Sequence, residues 1–265
     1  MMETVTSADG TRIAFWRDGA GPPLLLVHGG ICDHLAWFFV VPLLARHFTV
    51  YTFDRRGRGE SGDSLPYSSV EREVEDILAI LHAIGEPAHL VGHSAGGILA
   101  LKAATRESNL LSLTLYEPAY VIDGARERPA PVVLNTIQCL LDAGDYDEVI
   151  RIAMRESVGM SEAEIAGMEA GPGWEHLCRV AEAVPHDWML WEERLEAENV
   201  RAVRVPVLVL TGSESPAWLI QGAEAIVALF PNAQRTKLTG QGHSAMVTGP
   251  DTFAKAITDH VLSCR

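Results

Sequence analysis

Leu90-Val91-Gly92-His93-Ser94-Ala95-Gly96-Gly97 decides the fold of this chain. In the pattern G-x-S-x-G a serine sits on a sharp strand-to-helix turn, in a backbone conformation that leaves no room for a Cβ two residues to either side. Gly92 and Gly96 occupy those two positions. Ala88 to Val91 reads as a buried strand, and Gly97 to Ala104 reads as a tightly packed helix. A glycine turn that merely closes a strand would need neither the serine nor the helix behind it. Ser94 is therefore the candidate nucleophile.

Outward from this turn, apolar runs alternate with helical periodicity. Residues 3 to 17 form two β-prone segments around the turn Ala8-Asp9-Gly10-Thr11, a hairpin signal. Leu24 to Val27 is an unbroken apolar run of the kind covered on both faces of a sheet. A helical segment follows over Trp37 to Ala45, then a strand over Phe48 to Phe53, then Asp54 and a glycine-rich loop to Gly62. Ser68-Ser69-Val70-Glu71 reads as a capping box, and Val70, Val74, Ile77, Leu78, Leu81 and Ile84 lie at helical spacing until Gly85 ends the helix. Leu110 to Leu115 is the next strand, ending at Tyr116-Glu117-Pro118. This alternation predicts an α/β fold with a mainly parallel sheet whose ligands sit at the carboxyl ends of the strands.

Residues 119 to 203 break the rhythm. They read as helices punctuated by proline and glycine, with a second capping box at Ser161-Glu162-Ala163-Glu164. The expectation is a helical cap over 119–203 inserted into a core domain of 1–118 and 204–265. The alternation then resumes: a strand at Val205 to Leu210, a helix at Pro216 to Leu229, a strand at Arg235 to Leu238 and a helix at Pro250 to Leu262.

Composition narrows the function classes. The chain has 265 residues, 48% of them hydrophobic, and a formal net charge of −14. That charge disfavours nucleic acid and anionic membrane surfaces, which need clustered Lys and Arg. Arg55-Arg56-Gly57-Arg58 is the one notable basic cluster, and with no further basic stripe beside it a structural or solvated loop is expected. No apolar run is long enough to cross a bilayer and the amino terminus lacks the build of a signal peptide, so a cytoplasmic location is expected. Cys32, Cys139, Cys178 and Cys264 show no paired spacing, which predicts reduced thiols and neither disulfides nor a metal site. A small-molecule substrate is expected as partner, with the chain a monomer or homodimer.

Two further turns carry chemistry. Gln241-Gly242-His243 follows the last strand, placing His243 on the same sheet edge as Ser94, where it can act as general base. His28-Gly29-Gly30 ends another strand beside that edge. Backbone N–H groups of Gly30 and Ala95 could there face the oxygen that becomes negative in a tetrahedral intermediate.

The order and spacing of four stretches resemble the α/β-hydrolase superfamily: His28-Gly29-Gly30, Asp54 to Ser61, Gly92 to Gly96, and Gly240-Gln241-Gly242-His243. The resemblance implies an eight-stranded sheet, a helical cap between the sixth and seventh strands, a Ser-His-acid triad and no cofactor. The third triad member departs from the family pattern. Relatives commonly place an aspartate three residues after the glycine that ends the seventh strand, and here that position, counted from Gly212, is Ser215. Two glutamates compete. Glu214 lies one position early on that loop. Glu117 ends the sixth strand, a site some relatives use, precedes Pro118, and closes an apolar run where an unpartnered carboxylate is costly. Glu117 is the favoured acid and Glu214 the alternative; Asp54 is read as an anchor of its loop.

The expected activity is that of a serine hydrolase acting on a small-to-medium apolar ester or lactone through an acyl-enzyme. A serine at the elbow argues against epoxide hydrolase and dehalogenase chemistry, which use a carboxylate nucleophile. The rival readings are a C–C hydrolase, lyase or cyclase of a biosynthetic pathway using the same triad, and a slow-turnover ligand-binding receptor. Methionines and tryptophans of the cap suggest an apolar cleft, for which Trp37 and Trp188 are the candidate lining residues, with Cys32 at the border.

Overall fold

A computed structural model describes residues 1–63, 69–127 and 129–264. The chain forms an eight-stranded sheet in the order β1-β2-β4-β3-β5-β6-β7-β8. The strands are β1 Met2–Thr6, β2 Arg12–Gly19, β3 Pro23–Val27, β4 Thr49–Phe53, β5 Ala88–His93, β6 Leu110–Tyr116, β7 Val207–Gly212 and β8 Gln234–Leu238. β1 and β2 are the expected hairpin, closed by Ser7 N–H donating to Thr11 O at 2.8 Å with Gly10 at φ +89°. β2 pairs antiparallel with β1 and β4, and all pairings from β4 to β8 are parallel. The seventh strand starts at Val207, two residues later than the periodicity predicts, because Pro206 has no N–H for a ladder.

Successive strand residues point to opposite faces, and each face carries its own core. Leu25, Val27 and Leu90 pack with the helices Val70–Ile84, Ala95–Ala104 and Ala217–Leu229. Leu24, Leu26 and Val91 pack with Trp37, Leu44, Phe253 and Ile257 on the other side. The helix Val70–Ile84 is capped by Ser69, whose Oγ accepts from Arg72 N at 3.3 Å, and ends at Gly85 in the left-handed conformation. The capping box expected there depends on Ser68, which lies outside the described residues.

Between β6 and β7 the chain is helical, from Pro131–Ala143 to Ala197–Ala202. The Ser161 box forms with both reciprocal bonds, Ser161 Oγ accepting from Glu164 N and Glu164 Oε2 accepting from Ser161 N at 2.8 Å. These helices share a core of their own, built from Ile137, Val149, Ile150, Trp174 and Val184, into which Ile31 of the sheet domain inserts. No helix among the described residues is long and apolar enough to cross a membrane, and the four cysteines are free.

Candidate active site

Ser94 stands between β5 and the helix Ala95–Ala104 at φ +53°, ψ −121°, a strained conformation for a residue with a side chain. Its neighbours must be glycines. A Cβ on Gly92 would come within 2.5 Å of Gly96 O, and one on Gly96 within 2.2 Å of His28 O. The turn is stitched to β6 by Ser94 N–H donating to Tyr116 O at 2.9 Å. Ala95 opens the helix, so its N–H has no intrahelical partner and carries the positive end of the helix dipole.

Because β5 to β8 are parallel, their carboxyl ends share one edge, and Ser94, Glu117 and His243 are brought together there. Glu117 follows β6 directly, is fully buried and has φ +42°. Its Oε2 lies 2.6 Å from His243 Nδ1, while its Oε1 accepts from Gly212 N at 2.6 Å. A carboxylate held this way fixes the proton of His243 on Nδ1 and leaves Nε2 free to accept one. Glu214 is exposed and accepts from Ser213 Oγ at 2.9 Å instead. The structure thus sets Glu117, and not the alternative Glu214, against the histidine.

The residues preceding Ser94 and Glu117 both grip the loop that bears His243. Tyr116 donates its hydroxyl to Gly242 O, and His93 donates from Nε2 to His243 O at 3.0 Å. Since a carbonyl only accepts, His93 carries its hydrogen on Nε2. Burial, and then the neighbouring His243, push His93 well below the ordinary histidine range, so it stays neutral. Its ring stacks on Tyr116 with centroids 5.3 Å apart and lies 4.5 Å from the His243 ring. Sequence reasoning missed this clamp, although both residues sit one place before a singled-out position.

The Arg55-Arg56-Arg58 loop is structural and buried. Arg55 forms a two-point pair with Glu73 at 2.6 and 2.8 Å, Arg56 pairs with Asp76 at 2.7 Å, and Arg58 with Asp187 at 2.7 Å. Asp54 anchors its loop as expected, accepting from His34 N at 3.0 Å and Glu60 N at 2.8 Å. Asp33, His34 and Asp54 come close enough to suggest a metal site. Their oxygens are already engaged: Asp33 caps Leu35 N at 2.8 Å and faces His176 at 3.1 Å, and Asp54 holds the groups just named.

A family model described as alpha/beta hydrolase family matches residues 24–256. The chain belongs to that family. It is 36% identical to the N-formylmaleamate deformylase of Pseudomonas putida, over 96% of this chain and 94% of that one. It is 24% identical to the 2-hydroxy-6-oxo-6-(2'-aminophenyl)hexa-2,4-dienoic acid hydrolase of Metapseudomonas resinovorans, over 96% of this chain and 89% of that one. The crystal structure of an alpha/beta hydrolase from Sphaerobacter thermophilus superposes with a TM-score of 0.89 at 36% identity, covering 97% of this chain and 99% of that one.

In this α/β-hydrolase a cavity of about 500 Å³ opens between the sheet edge and the inserted helices, bordered by Gly30, Ser94, Ala95 and His243. Its wall is apolar: Met154, Met160, Met168, Leu190 and Leu219, with Cys32 near the turn at Gly30. Two expectations about this wall are corrected. Trp37 is fully buried in the core that Leu24 and Leu26 form, stacked on Phe253 at 6.1 Å and edge-on to His93. Trp188 is in the core of the inserted helices, with its Nε1 bonded to Ser157 Oγ. The tryptophans on the cavity are Trp191 and Trp218, with the Arg126 guanidinium 5.0 Å from each ring. Helical spacing marks a buried face without saying which neighbour buries it, so core and cleft tryptophans look alike in sequence.

Proposed function

We propose that this α/β-hydrolase is a serine hydrolase that cleaves small-to-medium apolar esters or lactones. Ser94 Oγ attacks the carbonyl carbon while His243 Nε2 takes its proton. The resulting oxyanion is held by the N–H groups of Gly30 and Ala95. Collapse of the intermediate breaks the carbon–oxygen bond, and His243 returns the proton to the leaving alkoxide. A water, deprotonated by His243, then releases the acyl group as its acid. Glu117 orients His243 and stabilises the imidazolium, and residues 119–203 act as the cap that walls the substrate in.

The observation that carries this reading is the Glu117–His243 pair at 2.6 Å, whose histidine borders the same cavity as Ser94. The apolar wall supports an uncharged acyl or alcohol moiety. Hydrolysis of p-nitrophenyl esters of graded acyl length by wild type and Ser94→Ala tests it: a length optimum that Ser94→Ala abolishes is expected, and equal rates for both proteins would refute it.

A second reading is hydrolysis of a carbon–carbon or formyl–nitrogen bond by the same triad. It is favoured by the two relatives above, one a dienoic acid hydrolase and the other a deformylase.

A further inference from the structure

The serine-hydrolase reading assigns an oxyanion role to Gly30 N–H, and the surroundings of that peptide indicate what aims it. The Gly29 carbonyl accepts from Arg55 Nη1 at 2.9 Å and from His28 Nδ1 at 2.8 Å. His28 Nε2 in turn accepts from Arg55 N at 3.2 Å, so the ring is neutral with its hydrogen on Nδ1. Gly29 C=O and Gly30 N–H belong to one planar trans peptide and point to opposite sides of it. Anchoring the oxygen on the Arg55 side turns the N–H the other way, and Gly30 borders the cavity beside Ser94 and Ala95.

The next peptide is held from the inserted helices. Ile31 N–H donates to Asp187 Oδ2 at 2.9 Å. Ile31 has φ +53°, a conformation that a β-branched residue adopts only when its surroundings impose it. Asp187 belongs to the helix Val184–Met189. Its Oδ1 accepts from Arg58 Nη2 at 2.7 Å and stands 3.0 Å from Arg55 Nη1, the same nitrogen that holds Gly29 O. The packing is tight: a Cβ on Gly30 would come within 2.9 Å of the Asp187 carboxylate.

We propose that Asp187 and Arg55 are positioning residues that aim Gly30 N–H as an oxyanion donor, so that docking of the inserted helices and assembly of the oxyanion hole are one event. This rests on the serine-hydrolase reading. Both sides of the donor peptide are fixed by one buried relay: Glu73 holds Arg55, Arg55 holds Gly29 O and Asp187, and Asp187 holds Ile31 N. A cap displaced from the sheet would carry Asp187 away and release Ile31 from its strained conformation.

The test compares Asp187→Asn and Arg55→Lys with wild type on p-nitrophenyl butyrate. The expected result is a fall in kcat of about 10- to 100-fold with KM changed by less than about threefold, because an oxyanion contact acts mainly in the transition state. A trifluoromethyl ketone inhibitor, which forms a tetrahedral adduct on the serine, should weaken by the same factor. Arg56→Gln, which breaks the pair with Asp76 and touches neither peptide, should lower stability and leave kcat unchanged. A folded Asp187→Asn enzyme with wild-type kcat and inhibitor affinity, or a loss confined to KM, would overturn the proposal. Should neither variant fold, amide exchange of the wild-type protein decides. Ile31 N–H should exchange at least about 100-fold slower than a free loop amide, and exchange at the free rate overturns the proposal. Ser94→Ala separates the two ideas: an active Ser94→Ala removes the serine-hydrolase reading, whereas an inactive one beside an unaffected Asp187→Asn removes only the relay.

Discussion

Glu117 and His243 are 126 positions apart in the chain, yet Oε2 of the first lies 2.6 Å from Nδ1 of the second. The glutamate is fully buried, and its other oxygen is taken by Gly212 N–H, so it has little freedom to turn away. Replacing it by glutamine keeps the shape and removes the charge that stabilises an imidazolium. Glu117→Gln is expected to lower kcat by about 10²- to 10⁴-fold, and Glu214→Gln to leave it within about twofold. Steady-state kinetics on one ester check both, and the reverse pattern would reassign the acid.

Tyr116 and His93 fasten the loop that bears His243. Tyr116→Phe leaves the ring stack intact and strands the Gly242 carbonyl. It should cost about 1 kcal/mol of stability and reduce kcat several-fold more than it changes KM. Thermal unfolding and kinetics on the same sample separate the two effects.

Acid stability depends on the buried Arg55–Glu73 pair. Burial alone would raise Glu73, but Arg55 and then Arg58 outweigh it and hold the carboxyl at about 2, below its ordinary value. A depressed carboxylate contributes stability that is fully present above its unfolded pKa and is lost as pH falls toward the folded one. Unfolding free energy should therefore decline between about pH 5 and pH 2, by on the order of 3 kcal/mol for this group. Glu73→Gln should flatten that slope while destabilising the protein at neutral pH, since Arg55 loses its two-point carboxylate partner and keeps only Asp187. Urea titrations at a series of pH values give the answer directly.

Cys32 borders the cavity but should be a poor nucleophile. Burial, and then the carboxylate of Asp187, push its thiol up to about 12, so almost no thiolate exists at pH 8. Iodoacetamide at that pH should label the exposed Cys139 and spare Cys32, as read by peptide mass spectrometry. Fast labelling of Cys32 would mean a wetter pocket than the one described.

Much of this was legible in the residues. The elbow announces itself because only glycine fits where Gly92 and Gly96 approach the backbones of Gly96 and His28. Strand and helix periodicity located every strand, and a long helical interruption between β6 and β7 could belong to nothing in the sheet. The carboxylate that pairs with His243 was harder to single out. Glu117 and Glu214 both follow strands, and their difference lies in burial and in which one meets His243, a contact no local pattern encodes. The arginine loop hid its nature for the same reason: Arg55, Arg56 and Arg58 look solvated until Glu73, Asp76 and Asp187 arrive from distant elements to neutralise them. Asp187 is a lone aspartate in a helical stretch, and nothing in its neighbours signals that it reaches the turn at Gly30.

The proposed chemistry turns on Ser94 as an activated nucleophile. A fluorophosphonate probe, followed by peptide mapping of the folded protein, measures this most directly. One adduct is predicted, on Ser94, with labelling abolished in Ser94→Ala and slowed in Glu117→Gln. A folded protein that forms no adduct at Ser94, or that labels equally well without it, would show that Ser94 is not an activated nucleophile.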